Sequence, residues 1–188
     1  RMAPDDLMAQ MSLVFQDVSL FKASLLDNIR MARPDATGEE VVAAAKAAQA
    51  DEFIRALPQG YETVYGSDGV HLSGGEKQRV SIARAILADR PIVVLDEATA
   101  FADPENEHLI QKAFAELMAG KTVVMIAHRL STVVGADQIL VIDDGRIMER
   151  GRHEDLLAAK GAYARLWNLY TRAVTWKVSS ARKEVLDA

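Results

Sequence analysis

Ile92-Val93-Val94-Leu95-Asp96-Glu97 is a short apolar run, mostly β-branched, that ends in two carboxylates. Its length and continuity predict a strand of a parallel sheet covered on both faces. The C-terminal edge of such a sheet is where α/β proteins bind ligands, so the pair Asp96 and Glu97 is expected at a ligand edge. The first carboxylate can hold Mg²⁺ directly or through water, because a hard cation takes oxygen donors. The second can orient and polarise an attacking water for phosphoryl transfer. The same pair also reads as the start of a solvated loop, and by itself it does not choose between the two.

Leu72-Ser73-Gly74-Gly75-Glu76-Lys77-Gln78-Arg79 lies about twenty residues upstream and opens a helix predicted over 73–88, with Val80, Ala83, Ile86 and Leu87 on one side. Two glycines in the first turn let a phosphate approach free backbone N–H groups at the positive end of the helix. Ser73 with Glu76 also fits a capping box. A cap gains nothing from Gly-Gly, which costs about 1 kcal/mol per residue inside a helix, and this tilts the reading toward phosphate.

The chain otherwise alternates strands with helices in its second half and is largely helical in its first. Strands are expected at 12–15, 92–95 and 122–127. Gln138–Asp143 and Arg146–Glu149 read as a hairpin closed by Asp144-Gly145. Helices are expected at 24–31, 37–50 (with Thr37 and Glu40 as a capping box), 51–57, 104–118, 130–135, 153–159 and 162–170, with a polar tail from about 173. The fold class is α/β with a mostly parallel sheet.

Composition sets bounds. The 188 residues carry a formal charge of −5, which argues against general nucleic-acid binding, and no cysteine, which excludes disulfides and thiolate metal sites. No stretch approaches the roughly 18–20 apolar residues that span a bilayer, and no signal-peptide pattern opens the chain. The start at Arg1-Met2-Ala3 reads as a cut inside a longer polypeptide.

Taken together, Leu72–Arg79, the helix after it and Ile92–Thr99 resemble, in order and separation, the signature motif and Walker B of the ABC ATPases. Further resemblance follows along the chain. Gln16, after its apolar strand, is similar to the Q-loop glutamine. Asp103, in Ala100-Phe101-Ala102-Asp103, is similar to the D-loop aspartate, and His128, in His128-Arg129-Leu130-Ser131-Thr132, to the switch histidine.

The resemblance implies part of a RecA-like P-loop ATPase core with an α-helical signature subdomain. The core segment with the Q-loop would end at 16 and the helical subdomain would span 17–89. Core containing Walker B, D-loop and H-loop would span 90–172, and the tail 173–188. It implies ATP and Mg²⁺ as cofactors. Gln16 and Asp96 would attend the Mg²⁺, Glu97 would be the catalytic base, and His128 would contact the γ-phosphate. Ser73, Gly74, Gly75 and Glu76 would bind ATP held by a second nucleotide-binding domain, identical or not, and Asp103 would cross that dimer interface.

Phe15-Gln16-Asp17, Leu20-Phe21, Asp27-Asn28-Ile29 and the stretch Gly145–Leu157 look like the exporter type, in which a transmembrane domain precedes the ATPase in one polypeptide at the cytoplasmic face of the membrane. Asp96–Glu107 resembles the bacterial siderophore-related members.

Two positions depart from the family pattern. Glu76 stands where glutamine is usual. Ser67, in Thr63–Gly69, stands where a glutamate is usual, so the resemblance does not carry that loop's coupling role to this chain. A P-loop is expected upstream of Arg1. Gly120-Lys121-Thr122 does not supply it, since position 115 is alanine and the segment runs from helix to strand. The 188 residues by themselves are therefore expected to bind ATP poorly and hydrolyse it negligibly. The competing readings are a chromosome-maintenance or DNA-repair ATPase, which the absence of long heptads opposes, and a non-catalytic docking fragment.

Overall fold

The computed structural model describes residues 3–15, 17–66, 70–96, 104–127 and 130–173. The chain divides into two compact units, Arg1–Ile126 and Ala127–Ala188.

In the first unit, α1 (Pro4–Met8) leads into β1 (Met11–Val14), followed by α2 (Leu25–Arg30), α3 (Gly38–Ala47), α4 (Asp51–Ala56) and α5 (Gly74–Ala88). Then come β2 (Ile92–Asp96), α6 (Pro104–Met118) and β3 (Thr122–Ile126). The three strands are all parallel in the order β1-β2-β3. The predicted α/β class holds, and β1 and β2 are neighbours although the whole α2–α5 segment lies between them in sequence.

Local signals explain the helix starts. Ser24 accepts from the Asp27 amide, and Thr37 with Glu40 forms the expected reciprocal capping box. α1 was not expected; Pro4 at its first position and Asp5 and Asp6 in its first turn suit a helix start. α5 stops where Asp89 takes a left-handed conformation, φ +47°, which aspartate tolerates better than most residues.

α5 is the central element, packed against α2, α3, α6 and β1. Val80, Ile82 and Ala83 from α5 are wholly buried with Ile29, Val41, Ala45 and Ile54. Each large aliphatic side chain so buried contributes about 1.5–3 kcal/mol. The loop between β1 and α2 is held by polar contacts. Asn28, fully buried, shares its amide hydrogens among the carbonyls of Phe21, Ala23 and Ser24 and accepts the Phe21 N–H at 2.9 Å. Arg84 of α5 donates to Asn28 Oδ1 at 2.6 Å and to the Ser19 carbonyl at 3.1 Å.

The sheet departs from the expectation that β2 is covered on both faces. Ser12, Val14, Val93 and Leu95 are buried on one face. On the other, Ile92 and Val94 are half-buried and the in-register Val124 and Ile126 are 50% exposed. Among the described residues, helices cover one face of the sheet, which leaves an apolar second face open.

In the second unit, the 130–135 segment expected as helix forms a 3₁₀ turn, Leu130–Val133. The hairpin of β4 (Ile139–Asp143) and β5 (Arg146–Gly151) is antiparallel, and Asp144 and Gly145 both have positive φ, as a type I′ turn requires. α7 (His153–Ala158) and α8 (162–173) follow. Glu149 of β5 accepts the backbone N–H groups of Ala162 and Tyr163 at the start of α8. His153 Nδ1 lies 2.7 Å from the buried Tyr163 hydroxyl, and its ring meets Trp167 edge-on at 4.6 Å.

Candidate functional site

Parallel pairing brings the strand ends to one edge. Val14 pairs with Leu95, Leu95 with Met125, and Asp96 with Ile126. Asp96 is therefore the last residue of the central strand, half-buried at the sheet's C-terminal edge. Gln16, Glu97 and His128 follow the ends of β1, β2 and β3 within two residues in sequence, and they lie outside the described residues together with Asp103 and Ser67. Of the sheet-edge candidates Gln16, Asp96, Glu97 and His128, only Asp96 is among the described residues.

The second part is the first turn of α5. Ser73 is the N-cap, its Oγ accepting from the Glu76 N–H at 3.2 Å, while Glu76 Oε2 accepts from the Ser73 N–H at 2.7 Å. The capping box and the phosphate reading thus concern the same residues. The box satisfies the amides of Ser73 and Glu76. The amides of Gly74 and Gly75, among the first four of a helix, have no partner within it, and no acceptor for them is found among the described residues. Ser73 and Gly74 are exposed, so an anion can reach this positive helix end. The Glu76 carboxylate already sits there, bonded to the backbone.

Gly75 is buried, and a Cβ on it would lie 2.9 Å from Asn106 Cγ of α6. Asn106 Oδ1 in turn accepts from Arg79 at 2.6 Å, and the Arg79 guanidinium, in a residue 4% exposed, stands 5.1 Å from the Phe53 ring centre. Sequence reasoning missed Asn106 and Arg79. The available signal was Arg79 one helical turn beyond Gly75, on the same face of α5. No hydrogen bond joins Asp96 to this turn among the described residues.

Gly120-Lys121-Thr122 lies between α6 and β3, with Gly120 at φ +70°. Lys121 Nζ pairs with Asp89 Oδ1 at 2.9 Å. That segment joins a helix to a strand and fixes the end of α5, so it is no phosphate loop.

The fold defines an α/β protein built on a parallel sheet, and comparison with known proteins gives the family. The family model described as ABC transporter matches residues 3–100. The chain is 52% identical over 167 residues to the mycobactin import ATP-binding/permease protein IrtA of Mycobacterium tuberculosis, covering 89% of this chain and 19% of that protein. It is 52% identical over 165 residues to the ATP-dependent lipid A-core flippase of Legionella pneumophila, covering 88% and 28%. A solved structure of a bacterial Atm1-family ABC exporter with ATP bound matches with a TM-score of 0.77 and 45% identity, over 87% of this chain and 29% of that one. The chain belongs to the ABC transporter family and has its α/β ATPase fold. It spans between 19% and 29% of the length of these three relatives.

Proposed function

We propose that this chain is the greater part of the ATP-binding and ATP-hydrolysing domain of an ABC transporter of the exporter type. In this reading ATP drives two such domains together, and the closure moves a substrate across a membrane. The observation that carries the proposal is the pairing of a parallel-sheet edge ending in Asp96 with an exposed Ser73-Gly74 helix start. The relatives add support, since one is named a permease with an ATP-binding part and another an ATP-dependent flippase.

The residues divide the work. Ser73 and the amides of Gly74 and Gly75 receive the γ-phosphate of ATP held by the opposing domain, next to Glu76. Glu97 takes the proton of the attacking water, His128 contacts the γ-phosphate, and Asp103 reaches across the dimer. Asp96 and Gln16 offer a carboxylate and an amide oxygen, the all-oxygen donors that suit Mg²⁺. When bound, Mg²⁺ neutralises charge on the phosphates. A P-loop supplied from outside these 188 residues would hold the triphosphate. The open apolar face of β2 and β3 is the surface on which we place the remaining core of the domain.

We take the domain order to be core to 16, helical subdomain 17–89, core 90–172 and tail 173–188. A fused transmembrane domain is the partner, and the cytoplasmic face of the membrane is the location. No helix among the described residues is long and apolar enough to cross a membrane itself. The IrtA likeness favours a siderophore-related substrate.

The test is ATP-dependent association of the two ATPase domains in the intact polypeptide, in a Glu97→Gln background that slows turnover. ATP is expected to close the dimer, and Ser73→Arg to prevent closure. Closure indifferent to ATP or to Ser73→Arg contradicts the proposal.

A further inference from the structure

Gly75 serves two masters in this structure. Its backbone N–H faces the open end of α5, while its Cα is pressed against α6. A Cβ there would stand 2.9 Å from Asn106 Cγ and 3.0 Å from both Asn106 Cβ and Oδ1. Ordinary van der Waals contact needs more room than that, so either the asparagine or the helix must shift.

The asparagine is not free to shift. Its Oδ1 accepts a 2.6 Å bond from the Arg79 guanidinium. Arg79 is 4% exposed and stands over Phe53 of α4. A guanidinium that deep needs its hydrogen-bond acceptors, because an unpaired buried charge is costly. Gly75 and Arg79 are four residues apart on one face of α5, so Asn106 touches that helix at two successive turns. It also stands third in α6, directly after the 97–103 segment that contains Asp103.

We infer that Asn106 is a positioning residue for the signature turn. It fixes the first turn of α5, with the phosphate-facing amides of Gly74 and Gly75, against the start of α6. This inference rests on the proposed function, because it assigns a consequence to the placement of those amides. Part of the reason that position 75 is glycine then lies in the side chain behind it as well as in the phosphate before it.

The experiment is a double-mutant cycle in the intact polypeptide, reading KM for ATP, kcat and the thermal midpoint. Gly75→Ala alone is expected to raise KM on the order of tenfold or more, because a small misplacement at a binding site is amplified. Asn106→Ala is expected to raise KM with kcat within about threefold. Asn106→Asp, which keeps an acceptor for Arg79, is expected to retain most of the wild-type KM. In an Asn106→Gly background, which removes the Cβ, Cγ and Oδ1 that a Cβ at position 75 would meet, adding Gly75→Ala should change KM by no more than about twofold.

Two results overturn the inference. One is equal damage from Gly75→Ala with and without Asn106, which would mean that the phosphate side alone requires glycine. The other is a change in thermal midpoint for Asn106→Ala with KM unmoved, which would make the contact purely structural. A wild-type protein without ATP turnover would instead remove the proposed function itself, and the thermal readings of the cycle would still report whether Gly75 and Asn106 are coupled.

Discussion

The amides of Ser73 and Glu76 are each held by the other residue's side chain, at 2.7 Å to Glu76 Oε2 and 3.2 Å to Ser73 Oγ. A carboxylate is thus fixed at the positive end of α5, where the proposed phosphate would bind. Glutamine can make the same reciprocal box without the charge. Glu76→Gln is therefore expected to leave stability within about 1 kcal/mol and to lower KM for ATP by about two- to fivefold, on the scale of one charge at a helix end. Steady-state ATP hydrolysis by the intact protein checks it; a raised KM would show that the carboxylate helps.

Asn28 links the 19–25 loop to α5 through Arg84. Asn28→Ala removes the acceptor of the Phe21 N–H, one of the three acceptors of the half-buried Arg84 guanidinium, and the amide donor shared by the carbonyls of Phe21, Ala23 and Ser24. The free energy of local opening should fall by about 2–4 kcal/mol. Hydrogen exchange over residues 19–25 is the measurement, since it reports local opening rather than global unfolding. Unchanged protection would mean that backbone contacts alone hold the loop.

Glu149 titrates below the ordinary carboxylate range because the backbone N–H of Tyr163, and then that of Ala162, bonds to its charged form. The sign follows from linkage: a depressed folded pKa gives stability that is present above the unfolded pKa and lost as pH falls through the folded value. Docking of α8 should therefore weaken below the model-peptide value of about 4.3 for glutamate. Trp167, packed on His153, is the reporter. Its fluorescence should show this acid transition, and Glu149→Ala should show the weakened state already at neutral pH.

Lys121 pairs with Asp89, whose side chain is 77% exposed, and such pairs contribute about 0–1 kcal/mol. Lys121→Met is expected to cost no more than that and to leave ATP hydrolysis within about twofold. A lysine of a true phosphate loop would not be replaceable, so loss of ATP binding here would reinstate Gly120-Lys121-Thr122 as a nucleotide site.

Much of the fold was legible in the sequence because local rules and tertiary context agree. Thr37 with Glu40, Ser73 with Glu76 and Asp144-Gly145 each specify a boundary that their own backbone satisfies. Disagreement came where a local pattern was short or its surroundings mattered. Five residues, Pro4–Met8, carry too little periodicity to announce a helix, and Leu130–Gly135 has helical composition but tightens into a 3₁₀ turn. β2 looks buried on both faces because its composition suits a central strand, yet burial depends on what lies above it. At the site, the first turn of α5 was visible as a motif. The contact of Asn106 with Gly75 was not, since it joins positions 31 apart that meet only through helix packing.

The most direct measurement is the ATP hydrolysis rate of the intact polypeptide with Glu97 intact and with Glu97→Gln, alongside ATP binding by both. The account predicts that both forms bind ATP and that kcat falls about 100-fold or more in the variant, as expected for loss of a general base. Hydrolysis by Glu97→Gln at the wild-type rate would contradict the assignment of this sheet edge as the hydrolytic site.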